Sequence, residues 1–445
     1  MNNTAEIADR LLALATKAGA DQADVLAVTG TSVSISVRNG ALDQAERSER
    51  TDVGLRVLVG QRQACVSTGD LSAASLERLA SRAVDMARLA PDDATLGLAD
   101  AGDLSDVRSA EGLELADPAA EPEAATLQEH ALRAEAAARA VTGVTKIDSA
   151  GASYGRSDFF LAASNGFRGG YAQTGSSVSC TAISGDGTAM ERDYAYDSRA
   201  FAADLRTPEW IGTLAGERTV ARAGARKSPA GAVPVLYDER VASGLIGHLI
   251  GAINGMAIVR GASWLRDALG EFVLPEALSL TEEPRRIRAM SSRPFDAEGL
   301  PTVERVLVDK GRLTGWVLDL GTARKLGLKS TANAARGTSN GPSPSTTNLR
   351  LTQGTKSREE LIRDMGTGLI VTSMLGASIN PTTGDYSRGA SGFWVENGEI
   401  DYPVNECTIA GNLRDMLRRV TPANDAQEHK STIVPSLLVE GLTVA

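Results

Sequence analysis

His130, His248 and His429 are the only imidazoles in the chain. Imidazole is the group most often used to bind zinc or move a proton near neutral pH, so the surroundings of these three limit the available chemistry. His130 falls in an Ala-rich, charged helical stretch and suits a solvated position. His248 ends the apolar helical segment Ser243-Gly244-Leu245-Ile246-Gly247-His248, with no second His four or five residues earlier and no acid beside it. A buried core residue fits that pattern better than a metal ligand. His429 lies in the polar run Asp425 to Thr432 and reads as exposed. A catalytic zinc wants three protein ligands, usually including a helical His pair, and that pair is missing. No GxSxG, no GxxxxGK[ST] and no strand–GxGxxG–helix pattern occurs, so a nucleophile elbow, a phosphate loop and a dinucleotide fingerprint are not indicated. Cys65, Cys180 and Cys407 are far apart and form no CxxC, which argues against a disulfide framework and a structural zinc site.

Carboxylates are the remaining reactive groups. Asp296 and Glu298 stand two apart in RPFDAEGLPT, Arg293 to Thr302. Two acids in one turn can hold a metal or a proton, but a solvated turn tied by its own backbone bonds is the simpler reading. Asp385 and Arg388 lie in NPTTGDYSRGASGFW, Asn380 to Trp394. They can pair and fix a tight loop around Gly384, Gly389 and Gly392, where unusual backbone angles are expected. A loop of such small residues also lets a peptide approach closely.

The elements that would hold these groups follow from periodicity. Ile7, Leu11, Leu14 and Ala18 share one face of a first helix that Gly19 stops. Val33, Ile35 and Val37, then Asn39-Gly40, then Val53, Leu55, Val57 and Val59 have the alternation and turn chemistry of antiparallel strands. A second helix carries Leu76, Leu79, Ala83 and Met86, a third lies within Glu123 to Val141, and more strands are expected between Lys146 and Tyr196. Ala101 to Glu121 reads as an acidic surface excursion. Further on, Asp309-Lys310-Gly311 and Asn397-Gly398 each separate two apolar runs and predict hairpins. Gly337 to Asn348 is almost all Gly, Ser, Thr, Asn and Pro and predicts a mobile loop. The fold class expected is α+β. A helix-and-antiparallel-sheet domain would span 1–225 and a hairpin-rich β domain 226–445, with the boundary in Arg222 to Gly231.

Composition narrows the function classes. At 445 residues the chain suggests two or three domains. Hydrophobic residues at 42% and charged residues at 23% exclude wholesale disorder. Lys and Arg total 46 against 56 acids, a net charge of −10, which repels a phosphate backbone; no nucleic-acid partner is expected. The apolar stretch Gly244 to Val259 is too short to span a bilayer and is interrupted by His248 and Asn254, so no membrane partner is expected. The N-terminus has neither the basic nor the apolar region of a signal peptide. With the cysteine pattern, this gives a cytoplasmic expectation.

Six motifs then follow in order: RPFDAEGLPT, GWVLDLGTARKLG (Gly315 to Gly327), NPTTGDYSRGASGFW, VENGEIDYPVNE (Val395 to Glu406), TIAGNLRDML (Thr408 to Leu417) and IVPSLLVEGLTVA (Ile433 to Ala445). Together they resemble the TldD/PmbA peptidase family, and within it the TldE (PmbA) branch, over essentially the whole chain. The resemblance implies that TldD members bind a catalytic metal through a helical HExxxH-type motif and a later Cys, and that TldE members share the fold without that motif. It implies a heterodimer that degrades unfolded or leader peptides, with roles in maturing modified peptides and degrading an antitoxin. Some members bear an old label, modulator of DNA gyrase, for which the acidic balance offers no direct DNA contact. Carried onto this chain, Ser243 stands where the first ligand His is expected, Gly244 where the general-base Glu is expected, and only His248 matches the second His. No Cys lies near Ile433 to Ser436.

What the resemblance implies is a non-catalytic subunit that completes the substrate cleft around a metal held by a TldD-type partner. No cofactor is expected in this chain, and a zinc-like metal is expected in the partner. Asn380, Asp385, Arg388 and Ser391 are the candidate cleft residues, and an exposed strand edge of the hairpin-rich half can hold peptides through main-chain bonds. Two alternatives remain: a stand-alone peptidase using Asp296, Glu298 or Asp385, and a chaperone-like module that only binds peptides.

Overall fold

The computed structural model describes residues 2–445. Its N-terminal half runs α1 (Asn2–Ala18), β1 (Gln22–Arg38), β2 (Ala41–Val59), β3 (Arg62–Thr68), α2 (Ala73–Leu89), α3 (Ala124–Ala140), β4 (Val144–Ala163), β5 (Arg168–Ser184), β6 (Glu191–Arg199) and α4 (Pro208–Ala221). The strands form one antiparallel sheet in the order β3-β2-β1-β4-β5-β6. The β1–β2 turn is Asn39-Gly40, with φ of 55° and 75°, the left-handed pair that an Asn-Gly hairpin needs. The apolar odd residues toward the two ends of β1 face the helices. Val25 and Ala27 pack under α1 and α2, while Val33, Ile35 and Val37 pack under α3 and α4. Even positions face the other way, and there Asp24 and Leu26 meet segments of the C-terminal half.

That half contains β7 (Gly231–Tyr237), α5 (Glu239–Ala252), α6 (Gly255–Val259), β8 (Leu280–Glu282), β9 (Arg305–Asp309), β10 (Arg312–Leu313), α7 (Leu320–Leu326), β11 (Ala334–Ala335), β12 (Ser343–Pro344), β13 (Leu349–Leu351), α8 (Arg358–Met365), β14 (Gly368–Ile379), β15 (Asp385–Glu396), β16 (Glu399–Asn412), α9 (Leu413–Arg418), β17 (Val420–Pro422), β18 (Thr432–Ile433) and β19 (Leu437–Val444). The main sheet has the order β16-β15-β14-β7-β19-β17, and β16 also pairs with β19. Five strands therefore close into a ring, which leaves few free edges. Only β7 and β14 run parallel in it. Leu245, Ile246 and Leu249 of α5 are buried in the core with Tyr237, Val371 and Tyr386, each worth about 1.5–3 kcal/mol of apolar burial. The architecture is α+β, as the patterning indicates. Among the described residues no helix is long and apolar enough to cross a membrane.

Two segments differ from their sequence reading. Gly337 to Asn348, expected as a mobile loop, is pinned. Thr338 bonds to Asp52, Asn254 donates to the Pro344 carbonyl at 2.9 Å, and the Thr347 amide donates to Glu282 at 2.7 Å. Polar side chains are buried at little cost once paired, so a polar composition did not mean mobility here. Asn380 to Gly392, expected as a loop, is a turn at 380–384 followed by most of β15. Gly384 in the turn has the unusual backbone angle expected, with φ of 82°, whereas Gly389 and Gly392 have ordinary strand angles and serve strand packing: a Cβ at Gly392 would collide with the Ile370 carbonyl.

Candidate functional site

Helix α5 begins at Asp238, whose carboxylate accepts the Arg240 amide at 3.2 Å. One side of the helix is core. On the other side Gly244, Gly247 and Gly251 have open space where a Cβ would stand. Ser243 and His248 lie between the two, partly buried. The His248 ring meets Tyr386 edge-on, with centroids 5.8 Å apart and planes at 72°. Burial, then the charge of Arg388, push the His248 pKa down, so the ring is neutral at neutral pH. Tyr237, the last residue of β7, has its hydroxyl buried beside Tyr386. Tyr386 itself points at Met374 Sδ, 3.8 Å away. Arg388 donates from Nε to the Gly376 carbonyl at 2.7 Å and has no ion pair among the described residues.

Of the candidate cleft residues, Arg388 alone comes to His248. Asn380 holds its turn by accepting the Thr382 and Thr383 amides at 2.9 and 3.3 Å. Asp385 does not pair with Arg388 as expected; it is exposed and bonds Thr383 and Asn412 at 2.6 and 3.1 Å. Ser391 accepts from Arg222 at 3.0 Å, tying β15 to the end of α4. Tyr237 and Tyr386 were missed by sequence. Tyr386 is two residues from Arg388, the same face of a strand, but the glycine-rich stretch predicts a loop, in which that spacing carries no meaning.

A metallopeptidase site needs ligands and a base, and these residues do not fit a metal. Ser243 and Gly244 supply neither. His248 faces a phenol and feels the charge of a cation, which opposes a second positive ion. Among the described residues no group of three or more His, Cys, Asp or Glu is placed to hold a metal.

Asp296 and Glu298 form a separate cluster on the even face of the first sheet. They are buried, not solvated as expected, although the backbone bonds expected of the turn are present. Asp296 accepts the Glu298 and Leu300 amides at 2.9 Å each and the Ala334 amide at 3.1 Å. Glu298 accepts the Leu320 amide at 2.9 Å. Burial, and for Glu298 also the Asp296 charge, push both carboxyls up. The folded chain therefore binds more protons than the unfolded chain, and stability falls as pH rises from the ordinary carboxylate range through neutrality. One proton corresponds to about 1.4 kcal/mol per pH unit. Glu298→Gln keeps an acceptor for Leu320 and removes the titration. Its unfolding free energy should vary less with pH and exceed wild type above neutrality; an unchanged slope would place the effect elsewhere.

Comparison with known proteins gives the class. Three family models match: PmbA/TldA metallopeptidase domain 1 at residues 23–87, its central domain at 117–223 and its C-terminal domain at 230–445. The chain is 39% identical to Metalloprotease PmbA of Escherichia coli O157:H7 over 430 residues, 96% of this chain and 92% of that one. A Bacteroides thetaiotaomicron crystal structure carrying a modulator-of-DNA-gyrase label superposes with a TM-score of 0.89 at 29% identity, covering 100% of this chain and 99% of that one. TldE from Thermococcus kodakarensis superposes at 0.86 with 20% identity, over 98% of this chain and 99% of that one, and speaks for the fold. The chain belongs to the PmbA/TldD metallopeptidase family.

Proposed function

We propose that this chain is the non-catalytic, TldE-type subunit of a two-chain metallopeptidase, and that it shapes a cleft for unfolded or leader peptides around a metal held by a TldD-type partner. The observation that carries this reading is the outer side of α5. In a metallopeptidase family member, that side presents glycines, a neutral His248 and the cation Arg388 in place of ligands and a base. Its open glycine positions let a peptide backbone lie close to the helix. Co-expression with a TldD-type chain tests the assembly. Light scattering should report a mass near the sum of the two chains, and independent migration of the two at micromolar concentration would count against the pairing.

In this reading His248 is a packing residue. His248→Ala should leave turnover of the assembled pair within a few-fold of wild type. It should lower stability by about 1 kcal/mol, the scale of an edge-on aromatic contact. Thermal unfolding and kcat measured on the same variant check this. A thousandfold loss of kcat with folding and pairing intact would make His248 a chemical participant.

A further inference from the structure

A cleft of about 490 Å³ lies where β6 and α4 meet the first turn of α5 and the segment 427–432. That volume suits a peptide side chain or chain end. Tyr194 and Tyr196 project from the outward face of β6, stacked with ring centroids 6.1 Å apart. Both are exposed, and so is Trp210 on α4. β6 is the edge strand of its sheet. Clustered exposed aromatics beside a strand edge are a liability unless something binds there.

The charges in the cleft are unbalanced. Arg206 lies over the Trp210 ring at 4.2 Å, and Arg218 donates to the Tyr194 carbonyl at 3.2 Å. Neither forms an ion pair among the described residues. The nearby acids are already engaged: Asp193 by Arg240, Asp238 by Arg240 and Arg358, Glu239 by Lys430, and Asp197 by Arg199. Burial, then Arg240, push the Arg218 pKa down against the pull of Asp193, Asp238 and Glu239, none of which pairs with it directly. In a chain of net charge −10, two uncommitted guanidiniums on one aromatic-walled cleft call for an anion from outside. A planar carboxylate matches a guanidinium fork.

We propose that this cleft is a subsite for a carboxylate of an extended peptide, held by Arg206 and Arg218, with the adjoining aromatic or apolar peptide side chain resting on Tyr196 and Trp210. The inference deepens the reading of the chain as a peptide-handling subunit and rests on it. Ser243 lines the same cleft, so a carboxylate bound there sits at the start of α5. The rest of the peptide then has the open side at Gly244, Gly247 and Gly251 as its path.

Three short unstructured peptides test the subsite on the full chain, with no metal or partner added. One carries a central Glu-Phe pair and an amidated end, the second has Gln for Glu, and the third is the Gln peptide with a free C-terminal carboxylate. Trp210 is a built-in reporter, because Trp264, Trp316 and Trp394 are buried; calorimetry gives the affinities. At least one carboxylate peptide should bind about tenfold tighter than the amidated Gln peptide, the scale of a charge-assisted contact. Which one does so tells a side chain from a chain end. Arg218→Gln and Arg206→Gln should each abolish the preference. Arg206 is exposed, so its variant remains decisive if Arg218→Gln fails to fold. Equal binding of all three peptides, or a preference that survives Arg206→Gln, overturns the proposal. A carboxylate preference without reconstituted cleavage would overturn the assembly reading and leave the subsite. Cleavage without the preference would overturn the subsite alone.

Discussion

Asp24→Ala should lower the unfolding free energy by about 3–5 kcal/mol, the usual result of removing one partner from a buried ion pair. Asp24 on β1 accepts from Arg56 on β2 at 2.7 Å and pairs with Arg336 of the C-terminal half. The side chains of Asp24 and Arg56 are 3% and 4% exposed and that of Arg336 is fully buried. Burial alone would push Asp24 up, but Arg336 and Arg56 together outweigh it and hold the carboxyl below its ordinary value. Its contribution is therefore present above the unfolded carboxylate range and is lost as pH falls through the folded value, opposite in sign to that of Glu298. Alanine leaves two desolvated guanidiniums without their carboxylate, and the other acid that acts on Arg56, Glu298, is already disfavoured as an anion by burial. Urea unfolding at neutral pH measures the loss. A change below about 1 kcal/mol, the level of an exposed pair, would mean that Arg336 is not seated on the sheet. Replacing all three groups by apolar residues of similar volume should cost far less than Asp24→Ala, because no charge is then stranded.

Local turn chemistry was legible in the sequence. Asn39-Gly40, Lys310-Gly311 and Asn397-Gly398 each predict a turn, and each has positive φ at both positions. The first helix and its buried face, Ile7 and Leu11, followed from spacing in the same way. What sequence did not reveal depends on partners distant in the chain. The β16–β19 pairing that closes the ring joins Ile409 to Val444, and no local pattern specifies it. Arg336 looks like a surface residue beside a polar loop until Asp24, 312 residues away, is placed opposite it. Asp296 and Glu298 form the same turn whether solvated or buried; packing against the first sheet decides which. At the candidate site, His248 and Arg388 were singled out separately, and only the β7–β14–β15 arrangement brings them together with Tyr237 and Tyr386.

The purified chain should fail to cleave an unstructured peptide, and mixing it with a TldD-type chain should produce cleavage that a chelator abolishes. Hydrolysis of a peptide bond by a metallopeptidase needs an activated water and a group to move its proton. The base alone is worth about 10²–10⁴ in rate. Here the position expected to hold it is Gly244, beside open space, and the one imidazole on the helix lies near Arg388. The difference between the lone chain and the assembled pair should therefore reach at least about a thousandfold. A stricter version rebuilds the motif. Ser243→His with Gly244→Glu recreates the HExxxH spacing with His248, and the open space at Gly244 accepts the larger side chain. Even so, the variant should remain inactive by itself, because two imidazoles beside a cation, without a third ligand, do not make a closed metal site. Chelator-sensitive cleavage by the pure wild-type chain, tracked through several purification steps at constant specific activity, would show that a ligand set exists outside α5 and would defeat the assignment of this chain as the non-catalytic partner.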